Sequence, residues 1–149
     1  MLKLLVAMDF TEVSRSACRF AAQHALGLEA GEILFLNVLG DDVKRDRETE
    51  LQAIEDAITR MRAIAEAELV SADGTPLTGT IGLRYSAVHG RPDVEILRVA
   101  RERAADAIVV GTSGRTGVGR LLLGSVAEKV VRGADCTVIV VKTKPSSAP

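Results

Sequence analysis

Apolar runs and helical periodicities alternate from one end of the chain to the other. Leu2 to Met8 is apolar apart from Lys3 and stops at Asp9-Phe10-Thr11, so it reads as a short buried strand. From Ser14 the period changes: Ala17, Ala21, His24/Ala25 and Leu28 recur every three to four residues, the face of a helix ending near Gly31. Ile33 to Val38 is a second apolar strand, and a polar loop from Gly40 to Asp46 follows it. Leu51, Ile54, Ile58, Met61 and Ala65 form the stripe of the longest helix, with Arg47, Glu55, Arg62 and Glu66 largely off it as its solvated side.

After the turn signal Asp73-Gly74-Thr75-Pro76, Ile81, Leu83, Tyr85 and Ala87 alternate with polar or small residues, the period of a half-buried strand at a sheet edge. Gly90-Arg91-Pro92-Asp93 opens a third helix, whose buried side is Ile96, Leu97, Ala100 and Ala104. Ala107 to Val110 is a short buried strand, and Gly111 to Gly119 a glycine-rich loop. Leu121 to Arg132 carries the pairs Leu123/Ala127 and Val126/Val130 at helical spacing, and Thr137 to Val141 is a last strand of β-formers. Lys144 to Pro149 has the composition of a disordered tail, leaving residues 1–143 as one domain. Strict β-α alternation predicts an α/β fold: a five-stranded open parallel sheet, Rossmann-like, with helices on both faces.

Composition narrows the function. Of 149 residues, 19 are basic and 20 acidic, so no net charge draws the chain onto nucleic acid or anionic membrane, and any anion must be gripped locally. Aromatic residues make up 3% with no Trp, too few for base stacking along a single strand. No run has the length of a signal-peptide core or a membrane span, so a cytoplasmic protein is expected. Cys18 and Cys136 lack ligand spacing and read as small buried hydrophobes. His24 and His89 read as satisfied or surface histidines, because they form no metal-ligand pair and no serine or cysteine is spaced to use either.

Ligands of open parallel sheets bind beyond the carboxyl ends of the strands. Here those ends carry Asp9, Leu39-Gly40, His89-Gly90 and Gly111-Thr112-Ser113-Gly114. Gly111, Gly114, Gly117 and Gly119 free the backbone to curl, and Gly124-Ser125 stands near a helix start, where unpaired N–H groups favour an anion. Arg115 and Arg120 are candidate donors to phosphate oxygens, and Ser125 offers a hydroxyl. The same glycines also suit a plain surface turn, and Asp9 also suits a helix cap. Gly119 and Gly124 have Walker A spacing, but no lysine follows Gly124, and the first strand lacks the glycines of a dinucleotide fingerprint.

Gly111-x-x-Gly114, nine residues, then Gly124-Ser125 resembles the Gly-x2-Gly-x9-Gly-Ser/Thr nucleotide motif of the ATP-binding universal stress proteins. The resemblance extends through Leu-Leu-Val-Ala-Met-Asp9, Gly90-Arg91-Pro92, Ala105 to Gly111 and Ala134 to Val141. It implies strand order 3-2-1-4-5, Asp9 beside the ribose or metal-bound phosphates, and the backbone near Val38 against adenine. It further implies that Gly111 and Gly114 flank ribose and phosphate, while Gly124, Ser125 and Val126 hold the phosphate chain. With Phe10, Thr11, Thr112 and Arg115 alongside, these residues are the candidate site for ATP and Mg²⁺. Phe10-Thr11 departs from the Gly-Ser that many such relatives carry after the aspartate. A homodimer paired through Thr137 to Val141 is implied as well, and an uncharged edge strand needs such cover. The expected function is a nucleotide-dependent stress-response regulator. No catalytic group is expected, because the loop has no lysine, carboxylate or imidazole for phosphoryl transfer. The alternatives are a dimeric interaction protein without nucleotide, or a slow ATPase.

Overall fold

The computed structural model describes residues 1–40, 46–71, 73–112 and 123–143. The order of elements is that expected. Strand β1 is Leu2–Ala7, helix α1 Glu12–His24, strand β2 Ala30–Leu39 and helix α2 Arg47–Glu68. After a single 3₁₀ turn at Leu77–Gly79 come β3 Gly82–His89, α3 Pro92–Glu102, β4 Ala107–Thr112, α4 Ser125–Gly133 and β5 Thr137–Lys142.

All strand pairs are parallel and the sheet order is β3-β2-β1-β4-β5, so β3 and β5 are its edges. The strand period divides the core. Leu4, Val6, Ile33 and Phe35 face α1 and α2, while Leu5, Leu34, Leu36 and Ile108 face α3 and α4. That is why the buried stretch Leu4-Leu5-Val6 of central β1 is apolar at every position, with Lys3 at its exposed start, whereas β3 alternates. Among the described residues no helix is long and apolar enough to cross a membrane.

Several boundaries differ from the sequence reading. Helix α1 starts at Glu12 because Thr11 caps it, its hydroxyl accepting from Ser14 N. It stops at His24, and Glu29, not Gly31, takes the left-handed conformation, with φ +54°. Gly31 instead lies in β2, where a β-carbon would come within 2.6 Å of the Met1 Cβ. Helix α2 is capped by Asp46, which accepts from Thr49 N at 2.8 Å. Its Leu51 is 52% exposed and so lies off the buried stripe; neighbouring Glu50 stands 3.3 Å from His89 Nε2 at the end of β3. Helix α3 ends at Glu102, so Ala104 is not on its buried face; it is exposed, at φ +51°.

The two cysteines differ. Cys18 is fully buried, and desolvation pushes its thiol up to about 12, whereas Cys136 is only half-buried.

Candidate functional site

The site forms where the sheet order turns back on itself. From β1 the chain runs through α1 to β2 on one side; from β4 it runs through α4 to β5 on the other. Between the carboxyl ends of β1 and β4 the crossovers part, leaving a crevice that none of the described helices fills. There a cleft of roughly 120 Å³ is lined by Ala7, Met8 and Asp9, by Leu36 and Val38 of β2, and by Val110 and Gly111 of β4. Val13 and Ser14 of α1, Pro92 and Ile96 of α3, and Val126 of α4 close its walls. The lining is apolar except for Asp9 and Ser14, so a ligand there meets a greasy wall with very few polar groups at its rim.

Asp9 follows β1, and its Oδ1 accepts from both the amide and the hydroxyl of Thr11. Thr11 in turn accepts from Ser14 N at 3.3 Å, and Ser14 Oγ donates to the Thr11 carbonyl at 3.1 Å. The cap of α1 is therefore Thr11; Asp9 supports the cap while its other carboxylate oxygen has no partner among the described residues. Phe10 holds this turn at φ +67°, a region costly for a side chain of its size. Its ring packs toward α2 with the Arg60 guanidinium 4.3 Å from the centroid, so neither Phe10 nor Thr11 lines the cleft.

At the other wall β4 runs two residues further than its apolar run indicates, and Gly111 and Thr112 are strand residues paired with Val141 and Lys142. Gly111 is demanded by packing: a β-carbon would come within 2.8 Å of Val13 Cγ1 and 2.9 Å of its carbonyl carbon. Gly124 is different. It is the exposed N-cap of α4, with φ −64° and ψ 162°, which any residue adopts, and the nearest atom to an added β-carbon is Thr112 Oγ1 at 3.7 Å. No side chain caps α4, so the N–H groups of Ser125, Val126 and Ala127 have no acceptor among the described residues. Val38 is half-buried in the cleft wall beside Val126. Gly114 and Arg115, with Gly117, Gly119 and Arg120, lie outside the described residues, as do the tail 144–149 and the loop 41–45.

Sequence reasoning missed eight lining residues: Ala7, Met8, Leu36 and Val110, read only as strand core, and Val13, Ser14, Pro92 and Ile96, on helices whose starts are remote in sequence. It also missed Asn37, buried at 4% exposure, whose Nδ2 donates to the Met8 carbonyl at 2.8 Å and pins the end of β1 beside the cleft. A polar residue inside the apolar run Ile33 to Val38 was the available signal.

Comparisons with known proteins converge. Residues 1–142 match the model of the Universal stress protein family. Universal stress protein MJ0531 of Methanocaldococcus jannaschii is 53% identical over 55 residues, which is 37% of this chain and 32% of the relative. A universal stress protein of Thermus aquaticus is 42% identical over 81 residues, 54% of this chain and 59% of the relative. The chain thus spans between a third and three-fifths of these curated relatives. Among solved structures, hypothetical protein MJ0577 superposes with a TM-score of 0.72 at 29% identity, over 97% of this chain and 98% of that one. A universal stress protein in complex with cAMP has a TM-score of 0.69 at 23% identity, over 96% and 98% of the chains. That of Archaeoglobus fulgidus in complex with dAMP has 0.65 at 21%, over 95% and 98%. With its sheet order, switch-point cleft and glycine-capped α4 in place, this chain belongs to the universal stress protein family.

Proposed function

We propose that the protein binds ATP in the switch-point cleft and acts in the cytoplasm as a nucleotide-dependent stress-response regulator. Gly124 carries the reading. Neither its backbone conformation nor packing among the described residues asks for glycine there, and a ligand phosphate approaching the α4 N-terminus does. The apolar wall of Val38, Pro92, Ile96 and Val126 suits a purine face, and the free N–H groups of Ser125, Val126 and Ala127 suit the phosphates. Two solved proteins of this fold are complexes with cAMP and with dAMP, in keeping with an adenine nucleotide here.

Mg²⁺ fits this donor set as a passenger of the phosphates. No cluster of three potential metal-ligating side chains occurs among the described residues, while Asp9 keeps one carboxylate oxygen unpartnered and Ser125 stands exposed at the helix start. Mg²⁺ ordinarily takes one or two protein carboxylates plus phosphate oxygens and water. Bound this way it would neutralise the phosphate charge, with Asp9 as its protein anchor and Thr11 fixing that carboxylate's orientation. Asp9 is the sole ionisable side chain lining the cleft among the described residues, which favours holding over rapid hydrolysis.

The reading includes a homodimer. Strand β5 closes the sheet on one side and its middle residues are half-buried, so a second copy pairing through Thr137 to Val141 would satisfy the open edge reciprocally. Calorimetric titration of the purified protein with ATP, with and without Mg²⁺, tests the nucleotide; light scattering tests the pair. Saturable binding strengthened by Mg²⁺ and a two-chain mass are expected. Absence of binding after bound nucleotide has been stripped overturns the first claim, and a one-chain mass the second.

A further inference from the structure

Three buried polar side chains occur among the described residues: Ser14, Asn37 and Thr112. Ser14 belongs to the α1 cap and Asn37 ties β2 to β1. Thr112 does something else. It stands in the last pair of the β4–β5 ladder, opposite Lys142, and is only 3% exposed, yet it spends its hydrogen-bonding capacity on chain far from it in sequence. Its Oγ1 accepts from Gly124 N at 2.9 Å, across twelve residues, and its carbonyl accepts from Thr143 N at 2.9 Å and Thr143 Oγ1 at 3.2 Å.

From this we infer that Thr112 is a positioning residue for the phosphate subsite, an inference that rests on the nucleotide reading above. The Gly124 amide is one donor of the helix start, and Thr112 Oγ1 consumes it. Without an acceptor among the described residues are the next three amides, those of Ser125, Val126 and Ala127, on a helix whose N-cap is fastened to the end of β4. Fastening matters because donors held in place bind an anion better than donors that must be ordered on binding. The carbonyl side of the same residue secures the chain leaving β5, so one side chain and one peptide join β4, α4 and β5 at the mouth of the cleft. Thr112 does not line the cleft. It acts through Gly124, and its loss should be felt at the phosphates and not at the base.

Thr112→Val keeps the shape and removes the acceptor; Thr112→Ser keeps the acceptor. The inference expects Thr112→Val to weaken ATP by about tenfold, the worth of roughly one hydrogen bond. Adenosine, which has no phosphate, should bind as it does to the unaltered protein, and Thr112→Ser should restore ATP binding. In the nucleotide-free protein, amide hydrogen exchange at Gly124 and at the first turn of α4 should quicken in Thr112→Val, with β1 and β2 unchanged. A Thr112→Val protein that binds ATP as well as the unaltered one, or that loses adenosine equally, overturns the role while the nucleotide reading stands. An unaltered protein that takes up neither ATP nor adenosine overturns both. If Thr112→Val fails to fold, Thr112→Ala and Thr112→Ser supply the same comparison. Equal ATP affinity in those two overturns the role.

Discussion

The α-carbon of Gly111 lies against Val13 so closely that a β-carbon there would fall within 2.8 Å of Val13 Cγ1 and nearer still to its carbonyl oxygen. Two glycines of one motif are thus glycines for different reasons: Gly111 lets β4 approach the start of α1, and Gly124 leaves space beside an uncapped helix start. Gly111→Ala should cost about 1–3 kcal/mol of stability, as overpacking does, with a lowered urea midpoint. Gly124→Ala should stay within about 1 kcal/mol, because better backbone entropy and a poorer N-cap offset each other. Gly124→Val should weaken ATP binding at least tenfold at near-native stability, measured by titration calorimetry. Equal losses of stability at both positions would contradict the distinction.

Phe10 offers a test of backbone strain. At φ +67° an alanine keeps the steric cost and loses the ring, whereas a glycine loses the ring and sheds the cost. Phe10→Gly is therefore expected to be more stable than Phe10→Ala by about 1 kcal/mol, the reverse of the order at an ordinary position. Both should be less stable than the native protein, since the ring's packing against the core and Arg60 goes in each. Chemical denaturation of the three proteins decides it.

Thr11 caps α1 and orients Asp9 at once. Thr11→Ala should lose about 1 kcal/mol through the cap. If Asp9 anchors Mg²⁺, the same change should reduce the gain in ATP affinity that Mg²⁺ brings and leave Mg²⁺-free binding untouched. Thr11→Ser should behave as the native protein in both measurements.

The cysteines should separate by pH. Burial raises the Cys18 thiol from 9.0 to about 12, so the folded protein holds that proton more tightly than the unfolded chain. The contribution to stability is complete below pH about 9 and is lost as pH rises toward about 12, where the folded thiol also ionises. Unfolding measured across that window should show stability falling with pH, less steeply in Cys18→Ala, which is itself less stable at neutral pH. Half-buried Cys136 should react with a thiol reagent in the folded protein, and Cys18 only on unfolding.

The succession of elements was legible because each apolar period has a single local solution: Leu4-Leu5-Val6 is apolar on both sides of a central strand, and β3 alternates because one face of an edge strand is open. The helix start at Pro92 was visible through proline chemistry, whereas helical spacing was read from Leu121 and α4 starts at Ser125. Asp9, Gly111 and Gly124 were visible as candidates by spacing, since a motif is a pattern along the chain. What spacing could not tell is why each is there. That Gly111 is held by Val13, that Phe10 turns to Arg60 and away from the cleft, and that Thr112 grips Gly124 depend on distances between elements. Periodicity specifies which face a residue lies on, because backbone geometry repeats locally. Which atoms meet across faces is decided only when the crossovers have packed, and the purpose of a glycine or a buried hydroxyl is written in those meetings.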